Sequence, residues 1–240
     1  MRKSFRCLWI VGCMVLLSCS EAPDDPQEAG KSALIIVDMQ YDFLPGGALA
    51  TTGGDEIIQP INELQDEFDL VVATQDWHPE GHGSFASSHP GRSVGEVVDL
   101  NGLDQVLWPD HAIQGSHGAE LTAELDQDTI ARVFQKGTNP EVDSYSGFYD
   151  NGQRGDTGLN EYLKSNGVTE VYVVGLALDY CVKYTALDAK RAGYDTTLIV
   201  DASRAVNLHP DDGAKAVGMM EAAGIQVTNT MNLRVLLDGH

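Results

Sequence analysis

Short apolar runs rich in β-branched residues recur along this 240-residue chain, and they constrain its fold more than any other feature. Several of them are nearly continuous in apolar residues, which is typical of parallel strands that are covered on both faces. The runs span residues 33–37, 70–74, 130–134, 171–174, 197–200 and 226–228. They predict six strands in one sheet.

Helical patterns lie between most of these runs. Apolar residues recur at helical spacing over 57–64, 182–189 and 214–218, and the last pattern ends at Gly224. Alternating strands and helices predict an α/β fold, a three-layer α/β/α sandwich with a mainly parallel six-stranded sheet. Residues 75–128 are the exception, because they show little periodicity; we expect them to form a long functional loop.

The N-terminal residues resemble a bacterial export signal. A basic segment, residues 1–6, precedes an apolar run over 7–17 that is too short to span a bilayer as a mature helix. The run ends in Leu16-Leu-Ser-Cys19, which resembles the lipobox of bacterial lipoproteins, where the cysteine is lipidated and becomes the new N-terminus. An ordinary secretory signal that is cleaved nearby is the alternative. Ser20 at the next position resembles outer-membrane sorting.

We therefore expect a lipoprotein-type signal peptide at 1–18, a flexible acidic tether at 19–31 and one folded domain at 32–240. The protein would then be exported and anchored in the periplasm or at the outer membrane through Cys19. The net charge of −21 argues against binding to nucleic acid and against electrostatic attachment to anionic lipid. The lipid anchor is thus the membrane contact that we expect.

Cys181 stands apart from the other three cysteines, which lie inside the leader or at its end. A lone thiol cannot form an internal disulfide. It follows the run over 171–174 and comes at the start of a helical pattern, an arrangement that favours a reactive thiolate. A buried core cysteine is the alternative.

Three reactive side chains follow strand-like runs. Asp38 follows the first run, Lys136 the third and Cys181 the fourth, and in open parallel sheets ligands bind beyond the carboxyl ends of the strands. An ammonium group stabilises a thiolate, and a carboxylate can accept the thiol proton and later deliver it to a leaving amine. The set therefore indicates a hydrolytic nucleophile, although Asp38 and Lys136 could instead form a structural ion pair.

A second group of residues suits a metal ion. Asp76 and His78 follow the second run at i and i+2, and His111 lies further along the same loop. Three nitrogen and oxygen ligands with open positions suit Zn²⁺, Fe²⁺ or Mn²⁺. The sequence leaves ligation open for the other histidines of this loop, His82, His89 and His117.

Six motifs, in this order, resemble the nicotinamidases, which belong to the isochorismatase-like cysteine hydrolases. The motifs are Asp38-Met-Gln-Tyr-Asp-Phe43-Leu-Pro-Gly-Gly, Thr74-Gln-Asp-Trp-His-Pro79, His82-Gly-Ser-Phe85, Trp108-Pro-Asp-His111, Lys136-Gly137 and Gly175-Leu-Ala-Leu-Asp-Tyr-Cys-Val182. The resemblance covers nearly the whole predicted domain, which it identifies as an isochorismatase-like hydrolase domain. One departure is Leu178, which stands where many nicotinamidases have threonine.

The resemblance implies roles for the reactive residues. Cys181 would be the nucleophile and Asp38 the general base and acid, with Lys136 supporting both. The backbone N–H groups of Ala177 and Cys181 would form the oxyanion hole, with a cis peptide bond between Leu176 and Ala177.

The resemblance also implies how the substrate and one divalent metal ion are bound. The metal ligands would be Asp76, His78 and His111. Zn²⁺ is the first choice of metal, with Fe²⁺ and Mn²⁺ as the other candidates, and the metal would hold the pyridine nitrogen of nicotinamide. Phe43 and Trp108 would be walls that stack on the ring, and Ser84 would reach the metal through a water molecule.

The expected function is the conversion of nicotinamide to nicotinic acid and ammonia through a Cys181 thioester, as in NAD salvage. A related cysteine amidase acting on a carbamoyl or ureido substrate is an alternative, but such relatives lack the metal motif. An isochorismate hydrolase would not need Cys181. A non-catalytic, lipid-anchored metal-binding protein is the remaining alternative.

Overall fold

The structure, a computed structural model, describes Met1 and residues 30–237. The predicted signal peptide after its first residue, the lipidation site Cys19 and the tether up to residue 29 lie outside the described residues. Within the described part of the chain, no helix is both long enough and apolar enough to cross a membrane.

A six-stranded, wholly parallel sheet forms the centre of the domain, as the apolar runs predict. In chain order its strands are β1 (Lys31–Val37), β2 (Leu70–Asp76), β5 (Arg132–Lys136), β6 (Val168–Leu176), β7 (Asp195–Arg204) and β8 (Gln226–Thr228), with the hairpin strands β3 (Val97–Leu100) and β4 (Leu103–Val106) between β2 and β5. The order across the sheet is β5-β2-β1-β6-β7-β8. The predicted fold class is therefore confirmed.

Helices cover both faces of the sheet. They are α1 (Ile58–Leu64), α2 (Leu159–Ser165), α3 (Lys183–Arg191), α4 (Asp212–Ala222) and α5 (Thr230–Leu237). Alternate residues of β1 point to opposite faces: Ile35 packs in a cluster with residues of α2, α3 and α4, and Ile36 packs in a second cluster with residues of α1 and α5. The two clusters make the three layers of the sandwich.

The region 75–128 contains a hairpin that its weak periodicity does not predict. Strands β3 and β4 pair antiparallel, and each is only four residues long and partly exposed. The turn between them is Asn101-Gly102, and both residues have positive φ, 53° and 86°. An Asn-Gly pair between short strands is a strong hairpin signal, so the turn residues predict the hairpin although the strand residues do not.

Helices α2 and α5 also have no counterpart among the predicted patterns.

Strand register brings the reactive residues to one edge. Strand β1 lies between β2 and β6, with Val37 opposite Gly175, and β2 pairs with β5 so that Asp76 lies opposite Lys136. Asp76 and Lys136 are the last residues of their strands rather than residues that follow them. The carboxyl ends of β1, β2, β5 and β6 therefore meet in one place.

Candidate active site

Cys181 lies in a π-helical turn, Leu178–Val182, that joins β6 to α3. The turn follows a cis peptide bond between Leu176 and Ala177. The backbone N–H groups of Tyr180 and Val182 both donate to the Ala177 carbonyl, at 3.0 and 3.1 Å. Cys181 is 7% exposed, so its thiol faces the interior of the site rather than bulk solvent.

Lys136 connects Cys181 with two carboxylates. Its Nζ lies 2.9 Å from Asp38 Oδ2 and 3.0 Å from Asp76 Oδ1, and it donates to Cys181 Sγ at 3.5 Å. Lys136 Nζ also donates to the Ser144 carbonyl at 3.0 Å. The structure thus brings together Asp38, Lys136 and Cys181, the three residues that the sequence grouped.

Buried charges set the protonation states in this group. Burial alone would lower the pKa of Lys136, but the Asp38 and Asp76 carboxylates raise it well above its ordinary value, so Lys136 stays cationic. Burial raises the pKa of the Cys181 thiol well above its ordinary value; Lys136 opposes this rise, and Asp38 adds to it. These surroundings favour the thiol over the thiolate, so Cys181 needs a base at the moment it reacts.

Asp38 is placed to be that base. Burial raises the pKa of Asp38, the charge of Asp76 adds to the rise, and Lys136 and Thr74 act in the opposite direction. The Thr74 hydroxyl donates to Asp38 Oδ1 at 2.6 Å. Sequence reasoning missed Thr74, although it lies two residues before Asp76 in the same strand and therefore projects toward the same face.

Asp76, His78 and His111 converge as the metal prediction requires. Asp76 Oδ2 lies 2.9 Å from His78 Nε2 and 3.3 Å from His111 Nε2. All three donor atoms lie within 4.8 Å of one another, and all three residues are buried. Although burial raises the pKa of Asp76, the charges of His78 and Lys136 hold it well below its ordinary value, so the carboxylate is ionised and available as a ligand.

The other nitrogen of each of these two histidines is fixed by a backbone carbonyl. His78 Nδ1 donates to the Gly137 carbonyl at 2.9 Å, and His111 Nδ1 donates to the Pro109 carbonyl at 2.8 Å. These bonds direct the Nε2 atom of each ring toward Asp76. Histidines that bind metals are typically oriented in this way, so the residues fit a divalent ion of the Zn²⁺ type.

The remaining residues predicted near the metal have other partners. His82 uses both ring nitrogens: Nε2 donates to the Asn139 carbonyl and Nδ1 pairs with the Ser84 hydroxyl, both at 2.8 Å. His82 therefore has no free nitrogen, although with His78 and Asp143 it belongs to a second group of closely spaced donors. His89 bonds to the Gly83 carbonyl, and exposed His117 pairs with Glu120.

Gln40 holds the backbone of Asp76. Its Nε2 donates to the carbonyl oxygens of Asp76 and Ala119, both at 2.8 Å, and its Oε1 accepts the Asp76 N–H at 2.8 Å. Gln40 is fully buried. These three bonds fix the end of β2 and so the direction in which the Asp76 carboxylate points.

A pocket lies between Cys181 and the three donors. Its lining comprises Phe43, Leu49, Asp76, His78, Trp108, His111, Asp143, Tyr145, Ala177, Tyr180, Cys181 and Val206. Phe43, Trp108 and Ala177, three of the predicted site residues, are thus part of this lining. Its mainly apolar and aromatic walls suit a flat aromatic ring.

Four wall residues and one acid were not predicted. The Tyr145 hydroxyl accepts a hydrogen bond from Trp108 Nε1 at 3.2 Å, and the Tyr145 and Tyr180 rings each meet Trp108 edge to face. Buried Asp143 Oδ1 lies 4.0 Å from His78 Nε2, and its Oδ2 accepts from Gln105 at 2.8 Å. The other two wall residues are Leu49 and Val206. Apart from Tyr180, none of these follows a predicted strand, so the strand-end rule could not select the other four.

A family profile described as Isochorismatase domain matches residues 32–231. The nicotinamidase of Escherichia coli (strain K12) is 50% identical over 196 residues, which cover 80% of this chain and 92% of that protein. The nicotinamidase of Acinetobacter baylyi is 43% identical over 209 residues, which cover 87% of this chain and 97% of that protein.

Solved structures give the same picture. An Acinetobacter baumanii nicotinamidase/pyrazinamidase superposes with a TM-score of 0.83 at 42% identity, covering 86% of this chain and 100% of that one. A protein from L. infantum in complex with nicotinate gives 0.73 at 37% identity, with coverages of 84% and 94%. The pyrazinamidase of Pyrococcus horikoshii in complex with zinc gives 0.68 at 39% identity, with coverages of 83% and 99%.

Proposed function

Because the chain belongs to the isochorismatase family, we infer that it hydrolyses nicotinamide to nicotinic acid and ammonia. Two relatives that are 50% and 43% identical to this chain are nicotinamidases, and a related protein was solved with nicotinate. One observation carries the inference. Cys181, which Lys136 contacts, and the three donors Asp76, His78 and His111 line the same small cavity.

The nucleophile of this reaction is Cys181, and its base is Asp38. As Sγ attacks the carboxamide carbon, the thiol proton moves to the Asp38 carboxylate, because burial disfavours a free thiolate. The protonated Asp38 then gives this proton to the departing ammonia, and the enzyme is left as a thioester. Asp38 next takes a proton from water as the water oxygen attacks the thioester carbon. The C–S bond then breaks, nicotinic acid leaves, and Asp38 returns the proton to the Cys181 sulfur.

Two groups stabilise charge during these steps. The backbone N–H groups of Ala177 and Cys181 hold the oxyanion of the tetrahedral intermediate, and loss of one such donor typically costs about 10²–10³ in rate. Lys136 stays cationic and keeps the two nearby carboxylates from repelling each other and the reacting thiol.

The metal ion that we propose would be held by Asp76, His78 and His111. When bound, it would act as a Lewis acid toward the pyridine nitrogen of the substrate. Zn²⁺ is the first choice, since a related pyrazinamidase was solved with zinc and the donor set suits it; Fe²⁺ and Mn²⁺ are the alternatives. Ser84 remains a predicted water-mediated contact.

Aromatic side chains select the ring. Phe43 and Trp108 line the cavity, and we assign them the role of walls that stack on the pyridine. The three-donor cluster opposite Cys181 favours a substrate that carries a ring nitrogen and a carboxamide. An amidase for carbamoyl or ureido substrates would have no use for that cluster.

We also propose that the protein is exported and anchored through a lipid on Cys19. The basic segment, the short apolar run and the sequence Leu16-Leu-Ser-Cys19 support this proposal. Radiolabelled palmitate should enter the wild-type chain expressed in a Gram-negative host and should not enter Cys19→Ala. Equal labelling of the two chains would overturn the proposal.

The test of the proposed function is ammonia release from nicotinamide by the full chain. We expect turnover that is lost on chelation and recovered when Zn²⁺, Fe²⁺ or Mn²⁺ is added back. A non-catalytic metal-binding protein would bind the ion and release no ammonia, and a carbamoyl amidase would act on ureido compounds while leaving nicotinamide intact.

A further inference from the structure

We propose that Thr74 is a positioning residue for this reaction, and that its hydroxyl holds the Asp38 carboxylate with one oxygen directed at Lys136 and the Cys181 thiol. The inference rests on the proposed function, because it assigns Thr74 a task in the same proton transfer. Both hydrogen bonds that the structure shows for the Thr74 side chain go to Asp38, so Thr74 acts on the reaction through Asp38.

The contact between Thr74 and Asp38 runs in both directions. The Thr74 hydroxyl donates to Asp38 Oδ1 at 2.6 Å, and Thr74 Oγ1 accepts the Asp38 backbone N–H at 3.2 Å. Both residues are fully buried. One hydroxyl therefore fixes both the main chain and the side chain of Asp38.

Asp38 has a backbone that needs such support. Its φ is 47°, in the left-handed region that residues other than glycine rarely adopt. The residue directly follows β1, so nothing in a strand ladder holds it there. The hydrogen bond between its N–H and Thr74 replaces the missing ladder contact.

Thr74 also determines which carboxylate oxygen is available to Cys181. Oδ1 is committed to the Thr74 hydroxyl. Oδ2 lies 2.9 Å from Lys136 Nζ and has no well-oriented hydrogen-bond donor among the residues that the structure describes. Oδ2 is thus the oxygen that receives the thiol proton when the bond between Sγ and the amide carbon forms. It also returns that proton to nitrogen when the C–N bond breaks.

The Thr74 methyl group has a separate packing role. A Cβ added at Gly147 would lie 2.5 Å from Thr74 Cγ2, so the methyl fills the space beside that glycine. A useful test must therefore separate the hydroxyl from the methyl. Thr74→Val removes the hydroxyl and keeps the size, Thr74→Ser keeps the hydroxyl, and Thr74→Ala removes both groups.

The test measures kcat, KM and the pH profile of ammonia release from nicotinamide for these three variants of the full chain. We expect Thr74→Val and Thr74→Ala to lose about 10- to 100-fold in kcat with KM little changed, because the base is misplaced while the ring site is intact. Thr74→Ser should recover most of the lost rate. Thr197→Val, at a buried threonine of β7 outside the site, is the matched control and should behave as wild type.

The pH profile separates positioning from a general loss of structure. Asp38 is faced by Lys136, Asp76, Cys181 and Thr74, and of these Thr74 and Lys136 favour its charged form. Removing the hydroxyl should raise the pKa of Asp38, so the acid limb of kcat/KM should move to higher pH in the Val and Ala variants but not in Ser.

Wild-type kcat and an unshifted acid limb in folded Thr74→Val would overturn the proposal. If that variant does not fold, Thr74→Ser and Thr74→Ala are compared instead, because they differ only by the hydroxyl. Equal kcat values and equal acid limbs in these two variants would overturn the proposal. Wild-type chain that releases no ammonia would instead contradict the proposed function. The pH dependence of Cys181 alkylation by iodoacetamide, read by mass spectrometry, would then still test Thr74, since an unchanged profile in the variants would refute its role.

Discussion

Lys136 and Asp76 form a buried ion pair, with 3.0 Å between Nζ and Oδ1, that joins the nucleophile to the candidate metal ligands. Asp76 uses its other oxygen toward the two histidines, so one carboxylate belongs to both halves of the site. A change in the group around Cys181 should therefore alter the candidate metal ligands, and a change in those ligands should alter the group around Cys181.

Lys136→Met should destabilise the fold as well as abolish turnover. Removing the ammonium leaves the Asp38 and Asp76 carboxylates buried without their cation, and breaking a buried pair typically costs about 3–5 kcal/mol. Urea unfolding of metal-free wild type and variant measures this difference. A change below about 1 kcal/mol would show that the two carboxylates do not depend on Lys136.

Cys181→Ala should release no detectable ammonia while binding as much metal as wild type, because the thiol is not among the three donors. Elemental analysis and an ammonia assay on the same preparation test both halves of this prediction. Residual turnover near the wild-type rate would remove Cys181 from the mechanism.

His111→Ala should lower metal affinity, because it deletes one of three donors and leaves the carbonyl of Pro109 without its partner. We expect the metal affinity to fall by about tenfold to hundredfold, and competition with a chromogenic chelator measures this change. His117→Ala is the matched control, since His117 is exposed and pairs with Glu120. Equal affinities in the two variants would place the ion elsewhere.

The activity should fall as the pH is lowered, and this fall should occur at a pH above the ordinary range of carboxyl pKa values. Asp38 must be ionised to accept the thiol proton, and burial raises its pKa, so kcat/KM should decline as pH falls through that raised value. An ordinary aspartate has a pKa of about 3.9. A kcat/KM that stays constant down to about pH 4 would mean that Asp38 is not the base.

Gly175→Ala should destabilise the protein by about 1–3 kcal/mol and reduce turnover. Gly175 has φ of 110°, and a Cβ there would lie 2.2 Å from the Val37 carbonyl oxygen, next to Asp38. Gly218→Ala in α4 is the control, since its Cβ would meet nothing within 4 Å and should leave stability equal or higher. Thermal melts of both variants make the comparison.

Sequence reasoning reached most of the chemistry because that chemistry sits at strand ends. Continuous apolar runs predict the strands, and the residues that end or follow them, Asp38, Asp76 and Lys136, then meet without further assumption. Thr74 was missed because its role depends on a contact between neighbouring strands, which no spacing within one strand displays.

The walls of the cavity were harder to predict for a related reason. Leu49, Tyr145 and Val206 come from loops whose paths depend on many tertiary contacts. Tyr145 reaches Trp108 across 37 residues of chain. Within residues 75–128, the Asn101-Gly102 turn is a local signal of how the chain folds.

The hydrogen bond from Trp108 to Tyr145 has a consequence for how such a protein can change over evolution. Asp38 and Lys136 lie at the ends of strands, and Cys181 lies in the turn after β6, whereas Leu49, Tyr145 and Val206 come from loops, which tolerate substitution. Exchanging Tyr145 would reshape the wall without displacing a strand. New ring substituents could therefore be accepted through loop variation, with the hydrolytic apparatus inherited intact.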